Sequence, residues 1–259
     1  MSAQPADVAS PPRPRVSWHT GTVVETRRET PSAVRITLDV PTWPGSDAGS
    51  HLDVRLTAPD GYQASRSYSV ASASPGGQVV LAVDELPDGE VSPFLVRDLR
   101  PGDQLELHGP LGAFFVWRPG RSTRPVQLVA GGSGVVPLYA MAAAHGAAAA
   151  EAPAGDTPHF RLLYSVRTPA DVFFAHELAA LTGPALRLDL VYTREAPDGW
   201  PDRIGRIGLE TLAARTIPAA LRPHVYVCGS TGFVESVARR LQDLGHAAAD
   251  IHTERFGGL

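Results

Sequence analysis

Residues 126–137 read Val126-Gln127-Leu128-Val129-Ala130-Gly131-Gly132-Ser133-Gly134-Val135-Val136-Pro137. An apolar run of this length, followed by glycines and then by an Ala- and Leu-rich segment, is typical of a buried parallel strand that turns into a helix. Glycines at such a turn let the backbone approach a phosphate, and the first N–H groups of the helix attract the anion. The spacing is not G-x-G-x-x-G, so the turn needs support from other features before it indicates a nucleotide site.

The rest of the second half repeats this alternation of strand and helix. Strand-like runs cover residues 160–164, 186–190 and 225–228, with Ala- and Leu-rich segments between them. This order predicts a parallel sheet with helices on both faces. The run at 225–228 is interpreted as the last strand, and it ends in a second glycine-bearing turn, residues 228–233. Ligands bind at the carboxyl edge of such sheets, so the two turns together predict a dinucleotide crevice.

The first half has a different pattern, with short β-rich runs broken by Pro and Gly between Trp18 and Trp117. Several runs alternate apolar with polar residues, as half-buried antiparallel strands do. About six strands at this spacing predict a small closed barrel. Residues 119–125 form the natural linker. The predicted organisation is a disordered tail over 1–15, a β-barrel domain over 16–120 and an α/β domain over 121–259.

One of these β-rich runs, Arg66-Ser67-Tyr68-Ser69, carries groups suited to a nucleotide. Side chains two residues apart share a face of a strand, so Arg66 and Tyr68 are expected to point the same way. A guanidinium binds phosphate through paired hydrogen bonds, and a tyrosine ring offers a flat stacking surface. A surface strand with an incidental Arg and Tyr is the alternative for so short a pattern.

Composition excludes several classes of function. The 259 residues carry a net charge of −4, which argues against nucleic acid as the main partner because phosphate binding requires a basic face. The single cysteine, Cys228, allows no disulfide framework and cannot supply the thiolates of an iron–sulfur cluster. No signal peptide, membrane anchor or membrane helix is indicated, and a cytoplasmic location is expected.

Two further motifs each lack a residue that their chemistry requires. His176-Glu177-Leu178-Ala179-Ala180 begins like a zinc protease helix, but alanine stands where the second histidine is required. The sequence therefore predicts no metal site. The run that starts at Gly131 begins like the nucleophile turn of a serine hydrolase, but Val135 occupies the final glycine position.

Taken in order along the chain, these motifs resemble the ferredoxin–NADP reductase superfamily. The resemblance runs from about Trp18 to the C-terminus. It rests on residues 66–69, Asp88-Gly89-Glu90-Val91-Ser92, Gly109-Pro110-Leu111-Gly112, residues 131–137, Cys228-Gly229-Ser230 and Glu254-Arg255-Phe256. Members of that superfamily hold FAD on the N-terminal barrel and NAD(P)H on the parallel-sheet domain.

The resemblance implies roles for individual residues around FAD. Arg66 would pair with the flavin pyrophosphate, Tyr68 would pack on the isoalloxazine ring, and Ser69 would hydrogen-bond near flavin N5. Other positions match the pyrophosphate loop, which cradles phosphates through backbone N–H groups and a hydroxyl, or its surroundings; the predicted contacts there are Ser67, Val83, Gly89, Glu90, Val91 and Ser92. Glu254 and Phe256 match the terminal segment near the flavin.

The nicotinamide nucleotide is assigned to the second half in the same way. Gly131, Gly132, Ser133, Gly134, Pro137 and Gly229 match the nucleotide turns, and Cys228 matches the cysteine beside the nicotinamide ring. A small buried residue at a strand end is the plainer interpretation of Cys228. Thr193 and Arg194 resemble the pair that binds the 2′-phosphate of NADPH, and Arg167 is a second candidate. Either arginine could instead form a surface ion pair, so NADPH is favoured with NADH as the alternative.

The predicted function is that of an FAD-dependent NAD(P)H oxidoreductase that passes electrons to a separate acceptor. Ser69, Cys228 and Glu254 are its predicted catalytic residues. Many relatives carry a fused [2Fe-2S] domain, whose cluster this chain, with a single cysteine, cannot bind, so the acceptor is expected to be a ferredoxin, a flavodoxin or an oxygenase component. Reduction of quinones or free flavins is a related alternative. A different class is a flavin-binding electron-transfer or regulatory subunit without NAD(P)H turnover of its own.

Overall fold

The computed structural model describes residues 16–73, 76–153 and 157–256. The predicted disordered tail over residues 1–15 lies outside the described residues. Among the helices of the described part, none has the length and apolar character that crossing a membrane requires.

The first half of the chain forms a six-stranded antiparallel sheet. Its strands are β1 (Ser17–Thr30), β2 (Ala33–Val40), β3 (His51–Thr57), β4 (Gln63–Ser69), β5 (Gly77–Asp84) and β6 (Gln104–Leu111). They are ordered β4-β3-β6-β1-β2-β5. A bridge between Val70 and Leu81 joins the two edges, so the sheet curls towards closure. The predicted antiparallel barrel is confirmed.

The barrel core follows from the alternation of apolar and polar residues in its strands. On β2, Val34, Ile36 and Leu38 are buried while Arg35 and Thr37 between them face outward. Inward side chains from all six strands close around one cluster. The short helix α1 (Ser92–Arg97) covers it with Leu95 and Val96, and the loop before α1 runs beside β4.

The second half forms a parallel sheet ordered β11-β10-β7-β8-β9. Its strands are β7 (Val126–Gly131), β8 (Phe160–Val166), β9 (Leu186–Tyr192), β10 (His224–Ser230) and β11 (Ile251–Phe256), and its helices are α2 (Val135–Glu151), α3 (Ala175–Leu181), α4 (Leu209–Arg215) and α5 (Thr231–Asp243). Leu128 packs with α2 and α3 on one face, whereas the next residue, Val129, packs with α4 and α5 on the other. Helices on both faces are confirmed.

The interpretation of residues 225–228 as the last strand is wrong. A fifth strand, β11, follows it and pairs in parallel with β10, with Glu254 opposite Cys228. Its sequence, Ile-His-Thr-Glu-Arg-Phe, contains no apolar run, because an edge strand is only half covered. The predicted terminal segment near the flavin is therefore part of the sheet.

An ion cluster joins the barrel to the α/β region. Arg35 of β2 contacts Glu29 at 2.7 Å and Glu177 of α3 at 2.5 Å. Its guanidinium also lies 4.6 Å from the centre of the Phe174 ring. The backbone N–H of Phe174 donates to Glu29 at 2.5 Å, in a left-handed conformation with φ of 54°. This cluster fixes the two regions on the side away from β11.

Candidate functional site

Strand β4 presents the predicted flavin contacts on two opposite faces. Arg66 and Tyr68 lie opposite Val54 and Leu52 of β3. Because Val54 and Leu52 are fully buried in the barrel core, Arg66 and Tyr68 leave β4 on the face that points towards this core. Tyr68 accordingly packs against the barrel core. Ser67 and Ser69 alternate with them and face outward, towards the parallel sheet. The expected shared face of Arg66 and Tyr68 is therefore found.

Ser69 connects the barrel to the carboxyl edge of the parallel sheet. Its hydroxyl donates to Glu254 Oε1 at 3.1 Å, a contact between residues 185 positions apart. Glu254 is the β-ladder partner of Cys228 on β10. The three predicted catalytic residues thus lie in one continuous row that crosses from β4 to β11 to β10.

A cavity of about 360 Å³ opens beside this row. Its walls come from strands β3, β4 and β11 and from the turn after β6; the side chains that matter here are His51, Ser67, Ser69, Phe114, Glu254 and Phe256. The predicted contacts Ser67, Ser69 and Phe256 are brought together here. Phe114, at the rim, is 88% exposed.

The ionisable groups of the row both have raised pKa values. Burial raises the pKa of Glu254 to about 7, against the opposing effect of the Ser69 hydrogen bond. Burial, reinforced by the charge of Glu254, raises the pKa of the Cys228 thiol well above its ordinary value. Burial therefore favours the thiol form of Cys228 over a thiolate nucleophile.

A second cluster lies on the other side of β4, at the predicted pyrophosphate contacts. The Arg66 guanidinium forms an ion pair with Glu90, in the loop before α1. The Tyr62 hydroxyl donates to the other carboxylate oxygen of Glu90 at 2.9 Å. These hydrogen bonds, first that from Tyr62 and then that from Arg66, lower the pKa of Glu90. Arg66 and Glu90, which are both predicted to contact the cofactor, thus form an ion pair with each other.

The loop itself has the tight geometry that the prediction requires. The Leu86 N–H donates to the Ser92 hydroxyl at 3.0 Å, and the Gly89 N–H donates to the Leu86 carbonyl at 2.8 Å. A Cβ on Gly89 would lie 3.0 Å from that carbonyl oxygen. Val83 and Val91 are fully buried in the barrel core, so neither residue offers an exposed surface to a ligand.

The two glycine-bearing turns pack directly on each other. A Cβ on Gly134 would lie 2.3 Å from the Cys228 carbonyl oxygen, and one on Gly131 would lie 2.9 Å from the Phe233 ring. Gly132, with φ of 55°, lies between them, next to Ser133 in the short 3₁₀ turn 132–134. Only glycine allows this approach, which brings the α2 N-terminus beside Gly229. Pro137 is buried in the first turn of α2 and faces the core.

The candidate residues for the 2′-phosphate lie at the ends of β8 and β9. The Arg194 N–H donates to the Arg167 carbonyl at 3.0 Å, and the Thr193 N–H donates to the Val166 carbonyl at 2.9 Å. Both arginine side chains are exposed. The charge of Arg167 acts on Asp84 of β5, where it opposes the rise in pKa that burial causes. Arg194 has no ion-pair partner among residues 16–73, 76–153 and 157–256.

Sequence reasoning missed His51, which lies opposite Ser69 in the β3–β4 register. Its Nδ1 is buried and has no hydrogen-bond partner in the described part of the chain. Burial lowers the pKa of His51, and the nearby Asp53 opposes this shift. Only the strand register could have found it, because His51 and Ser69 have no fixed spacing in sequence.

The residues present fit FAD and a nicotinamide nucleotide. Arg66 already binds an anionic group, and the loop that ends at Ser92 is closed too tightly for a side chain at Gly89. Gly134 brings the start of α2 against the Cys228 turn. A cationic fork, a compact loop and a glycine turn at a helix start are the donor set for two phosphorylated nucleotides.

Comparison with known proteins agrees with this chemistry. A family model described as an oxidoreductase FAD-binding domain matches residues 22–116, and one described as an oxidoreductase NAD-binding domain matches residues 128–239. Ferredoxin–NADP reductase B of Sorangium cellulosum is 34% identical over 222 residues, which are 81% of this chain and 85% of that protein. The chain belongs to the ferredoxin–NADP reductase superfamily. It is an FAD-dependent NAD(P)H oxidoreductase, as the sequence predicted.

Two more relatives show the range of this reductase family. The glycine betaine monooxygenase reductase subunit of Chromohalobacter salexigens is 30% identical over 76% of this chain, which spans only 53% of that relative. The FAD/NAD-binding domain of a nitric oxide dioxygenase from Vibrio cholerae has a TM-score of 0.79 and 26% identity. That alignment covers 93% of this chain and 99% of the domain.

Proposed function

We propose that this reductase takes hydride from NADPH onto FAD and passes the electrons singly to a separate redox protein. Residues 16–120 are the proposed FAD domain and residues 121–259 the proposed nucleotide domain. The contact between Ser69 and Glu254 carries this proposal. It brings the predicted flavin strand to the carboxyl edge of the parallel sheet, where the glycine turns lie.

Each residue of the row has a separate task in the proposed reaction. FAD, when bound, supplies the chemistry, since it accepts two electrons and releases them one at a time. Tyr68 would pack on the ring from the inward face of β4, and Ser69, on the opposite face, would offer its hydroxyl near N5. The fully buried, neutral Cys228 would support the nicotinamide site from within the sheet without introducing charge.

Glu254 is the proposed proton store of the site. A carboxyl group with a pKa of about 7 is present in both protonation states at neutral pH. It could therefore exchange a proton with a bound group through the Ser69 hydroxyl, which would accept one proton and pass on its own in the same step; a pKa near the working pH favours such general acid–base catalysis. The carboxyl group lies in the cleft between β4 and β11, where it lines the cavity.

Arg194 is the proposed ligand of the NADPH 2′-phosphate. It is exposed at the carboxyl edge without a carboxylate partner among the described residues, whereas the charge of Arg167 acts on Asp84. Arg194→Ala should raise KM for NADPH about tenfold to a hundredfold and leave KM for NADH nearly unchanged. Arg167→Ala is the matched control. Equal effects of Arg194→Ala on both nucleotides would remove the assignment.

The electron acceptor is proposed to be a ferredoxin, a flavodoxin or an oxygenase component. Relatives named as a ferredoxin–NADP reductase and as a monooxygenase reductase subunit support this class. Purified protein should be yellow and should lose its colour under anaerobic conditions on addition of NADPH. Candidate ferredoxins should then stimulate cytochrome reduction in a coupled assay. Yellow protein that neither NADPH nor NADH bleaches would favour an electron-transfer subunit without nucleotide turnover.

A further inference from the structure

The ion pair between Arg66 and Glu90 places a negative charge beside Arg66, the residue proposed to bind the pyrophosphate of FAD. The guanidinium is half exposed, with 52% of its side chain accessible, and the Glu90 side chain is 48% accessible. One terminal nitrogen of Arg66 donates to Glu90 and the other donates to the Ser65 carbonyl, so a pyrophosphate that approaches the planar fork of the guanidinium meets donors that are already engaged. The two anions therefore cannot both have the full set of contacts.

Tyr62 gives Glu90 a second anchor that does not depend on Arg66. Its hydroxyl binds Oε1 of Glu90, whereas Arg66 contacts Oε2. Tyr62 is itself 58% exposed in the turn between β3 and β4. Glu90 can thus release Arg66 while it keeps one hydrogen bond, and the carboxylate stays near the anion that replaces it.

We propose that Glu90 competes with the pyrophosphate of FAD for Arg66, so that cofactor binding is an exchange of one anion for another and Glu90 limits the affinity for FAD. This inference rests on the proposed role of Arg66. The exchange favours the cofactor, because pyrophosphate carries more charge than a carboxylate and an exposed ion pair contributes little to stability. After the exchange, Glu90 remains as a like charge beside the phosphates and opposes their retention.

The test is the dissociation constant of FAD for the full chain carrying Glu90→Gln. Glutamine keeps the size of the side chain and its bond to Tyr62 but removes the charge. Flavin is stripped from the purified protein, and FAD is titrated back while its fluorescence is followed. We expect binding about three- to tenfold tighter than in the wild type, since repulsion by one unit charge near an exposed site has this scale.

Two controls isolate the effect of the charge. Glu106→Gln removes an equally exposed carboxylate that pairs with Arg55 on the same barrel, and it should leave FAD binding unchanged. Riboflavin has no phosphate, so its affinity should be equal in wild type and Glu90→Gln. A gain for FAD without a gain for riboflavin locates the effect at the phosphates.

Arg66→Ala separates this inference from the role on which it rests. It should weaken FAD binding at least tenfold, and Glu90→Gln should bring no gain in that background. If Arg66→Ala has no effect, the assignment of Arg66 fails and the inference falls with it. If Arg66→Ala weakens binding but Glu90→Gln leaves it unchanged, the competition is refuted. Weaker FAD binding by Glu90→Gln with riboflavin unaffected would instead make Glu90 a ligand of the cofactor.

Discussion

Glu254 and Glu90 are two carboxylates that lie against the two sides of strand β4, and they differ in almost every physical respect. Glu254 is partly buried between the barrel and the parallel sheet, and this burial raises its pKa to about 7. Glu90 is exposed beside Arg66, and its pKa is lowered. Desolvation thus favours the protonated form of one carboxylate, whereas exposure and two hydrogen-bond donors favour the charged form of the other.

The largest expected effect is on the free energy of unfolding, which should depend on pH through the ionisation of Glu254. Because its folded-state pKa of about 7 exceeds the ordinary value of 4.5, the unfolded chain loses this proton first as the pH rises. The contribution of Glu254 to stability should therefore fall between about pH 4.5 and 7 and stay level above that range. Relative to Glu254→Gln, the wild type should lose about 3 kcal/mol over this interval.

Urea unfolding of both proteins, prepared in the same flavin state, would measure this difference. Other titrating groups cancel because they are present in both proteins. Glu235→Gln is a suitable control, since Glu235 is exposed and pairs with Arg255 at the same end of the sheet. A difference between wild type and Glu254→Gln that does not vary with pH would remove the contrast between the two carboxylates.

A smaller effect is expected from the hydroxyl that binds Glu254. The hydrogen bond from Ser69 favours the charged carboxylate, so Ser69→Ala should raise the pKa of Glu254 further, by up to about one unit. The midpoint of the pH-dependent stability difference should move upward accordingly. Ser69→Thr keeps the hydroxyl and should restore the original midpoint. A midpoint that is the same in all three proteins would show that the contact has no energetic weight.

The smallest effect is expected for the folding stability of the exposed pair. Glu90→Gln should change the midpoint of thermal unfolding by less than about 2 °C, because an exposed ion pair contributes little to stability. Its effect should appear in FAD affinity instead. Scanning calorimetry of flavin-free wild type and variant measures the shift. A loss of several degrees would mean that Glu90 holds the barrel together and is not merely an exchangeable anion.

The sequence was sufficient for features that depend on local patterns. The period-two alternation of residues 34–38 marks a half-buried strand in any barrel, and the glycines of residues 131–134 mark a turn that no other residue could form. Strand β11 was not predicted, because an edge strand that contains His, Thr, Glu and Arg shows no such pattern. Likewise, nothing local indicated that Arg35 would join Glu29 to Glu177, a residue 142 positions away from it.

By itself, the amino-acid sequence determined the two regions, their order and the types of group offered to two nucleotides, because periodicity, glycine turns and residue chemistry are properties of short segments. Only the tertiary structure decided which carboxylate has a raised pKa and which has a lowered one. That choice depends on desolvation and on partners brought from distant parts of the chain, such as Ser69 for Glu254 and Arg66 for Glu90. The spacing of residues along the chain does not encode either environment.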